Sequence, residues 1–199
     1  LHLCDRRQRQ MCIRDRMPDS IITKNALAAA VKELMQQKPF AKISVGDICE
    51  QCGMSRKSFY YHFRDKYDLV NWIFYSDFLR SLQEEPCENG WLLMRNLCRL
   101  FYKDRLFYAN ALQVRGQNAF RDYFVEVLEP FIIAFTQDMV ADRTHQKFFI
   151  TFYCDAFLTA IVRWLSEGAE IPPDEFVDLF ESVAEHFVSH LPKNEAPDA

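Results

Sequence analysis

The sequence predicts an all-α fold, with an N-terminal three-helix unit followed by a larger helical part. Glycine (5) and proline (8) are scarce in the 199 residues, which disfavours a turn-rich sandwich or barrel. Apolar residues, including 18 Phe, recur at helical spacing over long segments. An apolar content of 49% and a charged content of 26% are typical of a globular chain that buries its own core.

Residues 1–16 form a basic leader that we expect to be foreign to the native protein. The segment RRQRQMCIRDR, residues 6–16, resembles the translation of a transposon-type sequencing adapter. A basic DNA-binding arm is the alternative. A secretory signal is disfavoured because no apolar stretch of signal-peptide length follows the basic residues. We therefore take Met17 as the expected first residue.

Three consecutive helices are predicted after this leader. The first lies in ITKNALAAAVKELMQQKPF, where Thr23 is the expected N-cap and Pro39 forbids continuation. Its apolar face consists of Leu27, Val31, Leu34 and Met35. The second helix is expected to begin after Ser44 and to stop at Gly53, and the third to begin after its N-cap Ser55.

The second helix carries a capping signal and a set of small or apolar residues. Ser44 and Asp47 have the spacing of an approximate capping box. The residues that this short helix would bury are Val45, Ile48, Cys49 and Cys52.

The aromatic run of the third helix divides between two faces. At about 100° per residue, Phe59 and Phe63 lie within about 40° of each other and are predicted to face the core. The remaining side chains lie on the outward face or at its edges: Arg56, Lys57, Ser58, Tyr60, Tyr61 and His62. Hydroxyl, lysine and arginine groups are those that bind DNA phosphates and base edges. Two short helices joined by a Gly-containing turn therefore predict a DNA-binding helix-turn-helix unit, the alternative being an amphipathic helix with exposed tyrosines.

Charge and cysteine usage agree with such a protein. Residues 17–68 carry eight Lys/Arg against six Asp/Glu, whereas residues 69–199 carry eleven against twenty. A mildly basic N-terminal unit on an acidic body suggests an anionic partner for the first part only. Two of the seven cysteines lie in the leader, and the other five are an odd number without disulfide-framework spacing, which indicates reduced thiols and hence a cytoplasmic protein. The most apolar run, FFITFYCDAFLTAIV, is too short to span a bilayer, so no membrane partner is expected.

The segment ISVGDICEQCGMSRKSFYYHFRDKYDLV resembles the DNA-binding motif of the TetR/AcrR transcriptional regulators, with a likeness that covers Ile22 to Leu69. The resemblance implies a DNA-binding domain at residues 17–68, with its motif at 44–63. It also implies a helical effector and dimerisation domain at 69–191 and a tail at 192–199. The implied DNA-binding residues are Thr23, Ser44, Ser55, Arg56, Lys57, Ser58, Tyr60, Tyr61, His62 and Lys66.

The resemblance also implies a separate role in DNA binding for each group of these residues. Tyr60, Tyr61 and His62 would contact the DNA backbone, with Tyr61 also near bases, and Lys66 would hold a phosphate. Three residues would enter the major groove, namely Arg56, Lys57 and Ser58. Thr23 and Ser44 would anchor the first two helices.

The partners implied are a palindromic double-stranded operator and a second copy of the chain, paired through the last two long helices. Control would come from a small-molecule effector or a co-regulator protein. The segments around FYANAL and FYCDAF also resemble a subgroup that includes activators of the dihydroxyacetone kinase operon, for which the signal would come through a protein partner. Neither activation nor repression is predicted. A helical adaptor that does not bind DNA is the remaining alternative.

The sequence gives little support to an enzyme. It has no P-loop, no G-x-S-x-G and no dinucleotide fingerprint. Cys49 and Cys52 lack a second pair of zinc ligands and are better explained as buried small positions. His186 and His190 lack an acidic motif between them, so an exposed or interface pair is expected. We therefore expect no cofactor and no metal.

A further pair of charges lies in the most apolar of the predicted helices. Asp155 and Arg163 are more readily explained as paired structural charges than as ligand contacts.

Overall fold

The structure, a computed structural model, describes the backbone of residues 3–113, 120–136 and 143–190. Side chains are described in the same ranges except at residues 3–19, 121, 132, 134–136, 143–147, 149, 150, 153 and 184–190. The predicted tail at 192–199 and the side chains of His186 and His190 lie outside these described parts.

The all-α prediction is confirmed. Over the described ranges the chain forms nine α-helices and one 3-10 turn at Phe40–Lys42, without a strand. The helices are α1 (Leu3–Gln37), α2 (Val45–Gln51), α3 (Arg56–His62), α4 (Lys66–Glu84), α5 (Gly90–Lys103), α6 (Arg105–Leu112), α7 (Phe120–Thr136), α8 (Arg143–Ser166) and α9 (Pro173–His190).

The first helix does not begin at Thr23, so the predicted N-cap there is wrong. α1 runs without a break from Leu3 to Gln37, and Thr23 lies half-buried inside it. A threonine acts as a cap only where the preceding residues leave the helix, and here they continue it. The other end agrees with the prediction, because α1 stops just before Pro39.

The chain divides into two compact units, the first of which comprises residues 1–77 and 106–128. Its core forms around Phe74 of α4, whose ring centroid lies 5.2 Å from that of Phe120 and 5.5 Å from that of Phe124. Asn110 of α6 donates to the carbonyl of Met35 (3.1 Å) near the end of α1. This unit extends past residue 68, the predicted end of the DNA-binding domain. Where the DNA-binding function itself ends stays a prediction.

The second compact unit comprises residues 78–105 and 129–199. Charged side chains join α5 to α9 within it. Arg95 donates to Asp178 (2.6 Å) and to Glu181 (2.9 Å), and Arg99 donates to Asp174 (3.0 Å). These bonds lie along one side of α5 and fix its register against α9.

The end of α8 joins the same arrangement through Trp164. Its ring stacks on Phe176 with centroids 4.6 Å apart, and its indole N–H donates to the carbonyl of Ile171 (2.9 Å). Within the described part of the chain, no helix has both the length and the apolar character that crossing a membrane requires.

Candidate DNA interface

The start of α2 is fixed by a complete capping box, as the sequence predicts. The Ser44 hydroxyl accepts from the N–H of Asp47 (3.1 Å), and the Asp47 carboxylate accepts from the N–H of Ser44 (3.0 Å). Lys38 also donates to this carboxylate (2.9 Å). The bond from the Ser44 N–H, followed by that from Lys38, lowers the pKa of Asp47 to about 2.

The turn between α2 and α3 is defined by backbone bonds. Gly53 adopts the left-handed conformation (φ 66°), which glycine reaches without steric cost. Its N–H donates to Glu50 (3.2 Å), and the N–H of Met54 donates to Cys49 (2.8 Å), which together form a Schellman motif. Ser55 then caps α3 by accepting from the N–H of Ser58 (3.1 Å). The predicted stop and restart are both confirmed.

α3 faces two ways, as its pattern predicts. The Phe59 side chain is 0% exposed and that of Phe63 is 3% exposed, so both lie in the core. Tyr60 is 57% exposed and Tyr61 is 78% exposed. Two large aromatic side chains therefore lie exposed to water on a helix of seven residues, an unusual use of apolar surface.

The basic side chains of α3 are also available to a partner. Arg56 and Lys57 are exposed, and the structure describes no hydrogen bond or ion pair for either side chain among the residues it covers. Ser58 is half-buried beside them. The hydroxyl and cationic groups that the sequence singles out are therefore brought together on one short helix.

His62 lies at the edge of this face, half-buried, with its ring centroid 4.9 Å from that of Tyr61 in an edge-on contact. Burial, and next the charge of Lys24, lower the pKa of His62 below its ordinary value. The imidazole is therefore neutral at pH 7 and retains one N–H donor.

Lys24 itself was not predicted from the sequence. Its ammonium lies 5.7 Å from the ring centroid of Phe63 and 5.5 Å from that of Trp72, so α1 contributes a cation near the end of α3. Spacing along the chain does not indicate this placement, because the contact forms only when α1 packs against α3 and α4.

The ammonium of Lys66 is hydrogen-bonded within the protein, and its predicted phosphate contact stays a prediction. Its ammonium donates to the carbonyls of Phe40 (2.9 Å), Ala41 (3.2 Å) and Ile43 (2.7 Å). An ammonium has three N–H donors, so these acceptors use its full capacity. The side chain of Lys66 therefore stabilises the connection between α1 and α2, and a phosphate would have to displace one of these bonds.

Cys49 lies inside α2, whereas Cys52 is the half-buried C-cap residue of that helix. Cys49 is buried, and this burial raises the pKa of its thiol. The thiol of Cys52 donates to the carbonyl of Ile48 (3.2 Å). Zinc ligation needs thiolates, which a raised pKa disfavours. Over the described residues, no group of His, Cys, Asp and Glu has a metal-binding arrangement.

Comparison with known proteins identifies the family. Residues 26–73 match the model described as bacterial regulatory proteins, tetR family, and residues 91–186 match a transcriptional regulator C-terminal region. The HTH-type dhaKLM operon transcriptional activator DhaS of Lactococcus lactis subsp. lactis (strain IL1403) is 31% identical over 155 residues, covering 74% of this chain and 81% of that relative.

Solved structures share the fold. The dihydroxyacetone kinase operon activator DhaS superimposes with a TM-score of 0.59 at 22% identity, covering 85% of this chain and 96% of its own. NalD of Pseudomonas aeruginosa, the secondary repressor of the MexAB-OprM multidrug efflux pump, superimposes with a TM-score of 0.56 at 19% identity, covering 89% of this chain and 99% of its own. The predicted family resemblance and its subgroup likeness are confirmed, and this family consists of regulators, not enzymes. The chain belongs to the TetR family of transcriptional regulators.

Proposed function

We propose that the chain binds a palindromic operator in double-stranded DNA as a homodimer, with α3 as the recognition helix. The observation that carries this proposal is the division of α3 into a buried Phe59–Phe63 face and an exposed face that holds Lys57, Tyr60 and Tyr61. A helix held in the core along one side and rich in donors along the other fits the major groove.

The contacts divide by chemistry. By helical period Lys57 and Tyr61 lie opposite the Phe59–Phe63 face, both are exposed, and they are the candidates for base edges, with Ser58 beside them. Tyr60 and the neutral imidazole of His62 flank this row and are candidates for backbone phosphates. Ser44 and Ser55 support the interface by fixing the starts of α2 and α3. Thr23 keeps only an indirect role, through the packing of α1.

The dimer is supported by a self-complementary surface on α8. An open groove with a volume of about 690 Å³ runs along this helix, and Phe148 (67% exposed) and Phe152 (57% exposed) lie in it. Asp155 and Arg163 also line it, and both are exposed. Each lies four residues from Thr159, on opposite sides.

This spacing has a simple consequence for two copies of the helix. If two antiparallel α8 helices cross at Thr159, Asp155 of each subunit faces Arg163 of the other. The two-fold axis therefore generates two symmetric charge contacts. A two-fold interface requires this kind of self-complementarity. The small residues Ala156 and Ala160 also line the groove and allow the helices to approach closely.

The regulatory signal would act on the second compact unit. The likeness to an activator of an operon favours activation, and a co-regulator protein is the candidate source of the signal. A small-molecule effector is the alternative. Either would act by binding one arrangement of the dimer more tightly, with a coupling of about 1–3 kcal/mol. We place the protein in the cytoplasm, where its DNA lies.

Selection of bound sequences from random duplex DNA tests the proposal. Protein beginning at Met17 should enrich a palindrome, and Tyr61→Ala should abolish the enrichment while the fold is kept. Tyr75→Ala, which removes an exposed tyrosine of α4, is the matched control and should enrich the same palindrome. If the folded wild-type chain enriches no sequence, the helical adaptor that does not bind DNA becomes the better explanation.

The dimer surface has its own test. Arg163→Asp places two carboxylates together at each of two symmetric contacts, so the dimer dissociation constant should rise by at least about tenfold. The charge swap Asp155→Arg with Arg163→Asp should restore the dimer. Analytical ultracentrifugation measures both, and a swap that fails to restore association would contradict the antiparallel crossing at Thr159.

A further inference from the structure

The guanidinium of Arg56 lies over the first turn of α2, at Gly46. A Cβ atom built on Gly46 would lie 2.5 Å from Nη2 of Arg56 and 3.4 Å from its Cζ. The hydroxyl oxygen of Ser44 lies 3.4 Å from the same point. The first residue of α3 therefore places its charge on α2, in space that any other residue at position 46 would fill.

The electrostatics of α2 agree with this placement. Burial raises the pKa of the Cys49 thiol and the neighbouring Cys52 adds to the rise, whereas the charge of Arg56 opposes both. An arginine that extended away from α2 into water would have little effect on a buried thiol of that helix.

The backbone of α2 does not itself require a glycine at position 46. Gly46 lies inside an ordinary helix and does not have the positive φ of Gly53. Glycine is among the weakest helix formers, and alanine would suit this position better on propensity alone. What glycine provides here is room for the guanidinium.

The direction of Arg56 separates it from the outward row of α3, which consists of Lys57, Ser58 and Tyr61. At about 100° per residue, its side chain leaves the helix about 100° from Lys57 and about 140° from Tyr61. Its N–H donors have no partner described among the residues that the structure covers. A planar fork of five donors, directed towards α2 and away from the row that faces the bases, matches the geometry of a phosphate.

We propose that Arg56 binds a backbone phosphate of the operator and that Gly46 is the positioning residue that holds it there. This inference rests on the proposed DNA binding by α3. It replaces the expectation that Arg56 enters the major groove together with Lys57 and Ser58. The charge that reaches the DNA beside α2 thus belongs to α3, and its place depends on the absence of a side chain at position 46.

A double-mutant cycle tests this assignment. The wild type, Gly46→Ala, Arg56→Ala and the double variant are compared for affinity to the enriched operator over a range of salt concentrations. Each single variant should weaken binding by about tenfold, the size of one lost charge-assisted contact. The double variant should bind no more weakly than Arg56→Ala. Each should also reduce the slope of log K against log salt by about 1, as expected for one lost phosphate contact.

Two further readouts separate positioning from a structural effect. Gly46→Ala should not lower the urea midpoint, because only the far end of a flexible side chain has to move. The ratio of affinities for the operator and for each single-base variant should stay unchanged in every protein.

Additive losses in the cycle would overturn the role of Gly46. A changed preference at one base pair in Arg56→Ala would overturn the phosphate assignment. If the wild-type chain itself binds no DNA, the proposed function fails and this inference fails with it. That result is distinct from a wild type that binds but shows an additive cycle.

Discussion

Lys66 offers a sharp test of whether a basic residue beside the proposed recognition helix α3 stabilises the fold or binds the DNA. We expect Lys66→Met, which keeps the apolar stem and removes the ammonium, to destabilise the protein. Three backbone carbonyls, those of Phe40, Ala41 and Ile43, would lose their shared donor. The ammonium also lies 4.7 Å from the ring centroid of Phe40, a contact that the variant would lose as well.

The magnitude follows from the surroundings of the three bonds. Those to Phe40 and Ile43 are partly buried, and a hydrogen bond to a charged group in such a place contributes about 1–1.5 kcal/mol after solvent screening. The bond to Ala41 is exposed and adds little. The free energy of unfolding should therefore fall by about 2–3 kcal/mol, measured by urea titration followed by circular dichroism.

Lys57→Met is the matched control, because Lys57 is exposed on the outward face of α3. Its urea midpoint should equal that of the wild type, and its operator affinity should fall at conditions where both proteins are folded. The reasoning about Lys66 would be refuted if Lys66→Met kept the wild-type urea midpoint while losing operator affinity. That result would restore the phosphate role implied by the family resemblance.

Three other outcomes follow from contacts within the two units. Because folding lowers the pKa of Asp47 from 3.8 to about 2, its capping box stabilises the protein above about pH 4, and that contribution is lost as the pH falls towards 2. In Asp47→Asn the urea midpoint should therefore depend less on pH between about pH 4 and pH 2 than in the wild type. An unchanged pH dependence of the urea midpoint would contradict this role of Asp47. Arg95→Met should lower the free energy of unfolding by about 1 kcal/mol, since it removes the bonds to Asp178 and Glu181 at a partly exposed site, and thermal melting measures the loss. Cys98 is fully buried and burial raises its pKa, so iodoacetamide should label it only in urea, as mass spectrometry would show; labelling of the native protein would be inconsistent with this packing.

Local signals in the sequence were sufficient for the helix-turn-helix unit. The caps at Ser44 and Ser55, the stop at Gly53 and the inward position of Phe59 each depend on residues within one or two turns. Such features follow from backbone chemistry and helical period, which a single sequence displays.

Features that depend on distant residues could not be predicted in the same way. The bonds of Lys66 reach back to the turn at Phe40–Lys42, and those of Arg95 reach from α5 to α9. The position of Arg56 over Gly46 depends on the angle between two helices. At Thr23 the local signal itself was misleading. Threonine has a real preference for the N-cap position, but the residues before it continue the helix and override that preference.

Pro130 shows a related limit. It lies inside α7, where proline removes one helix hydrogen bond, and the helix nevertheless continues to Thr136. Leu128 is buried before the proline, and the Phe131 ring after it lies 5.5 Å from that of Phe78, contacts that propensity alone does not report.

The separation of inward and outward residues on α3 has a consequence for how such a regulator changes over evolutionary time. The angle of the motif is set by Gly53, by the two serine caps and by Phe59 and Phe63, none of which belongs to the outward row. Exposed substitutions at Lys57 or Tyr61 should alter stability by no more than about 0.5 kcal/mol. With α3 as the recognition helix, as we propose, a duplicated copy of the gene would acquire new target promoters by single exchanges on this row, without passing through an unfolded intermediate sequence.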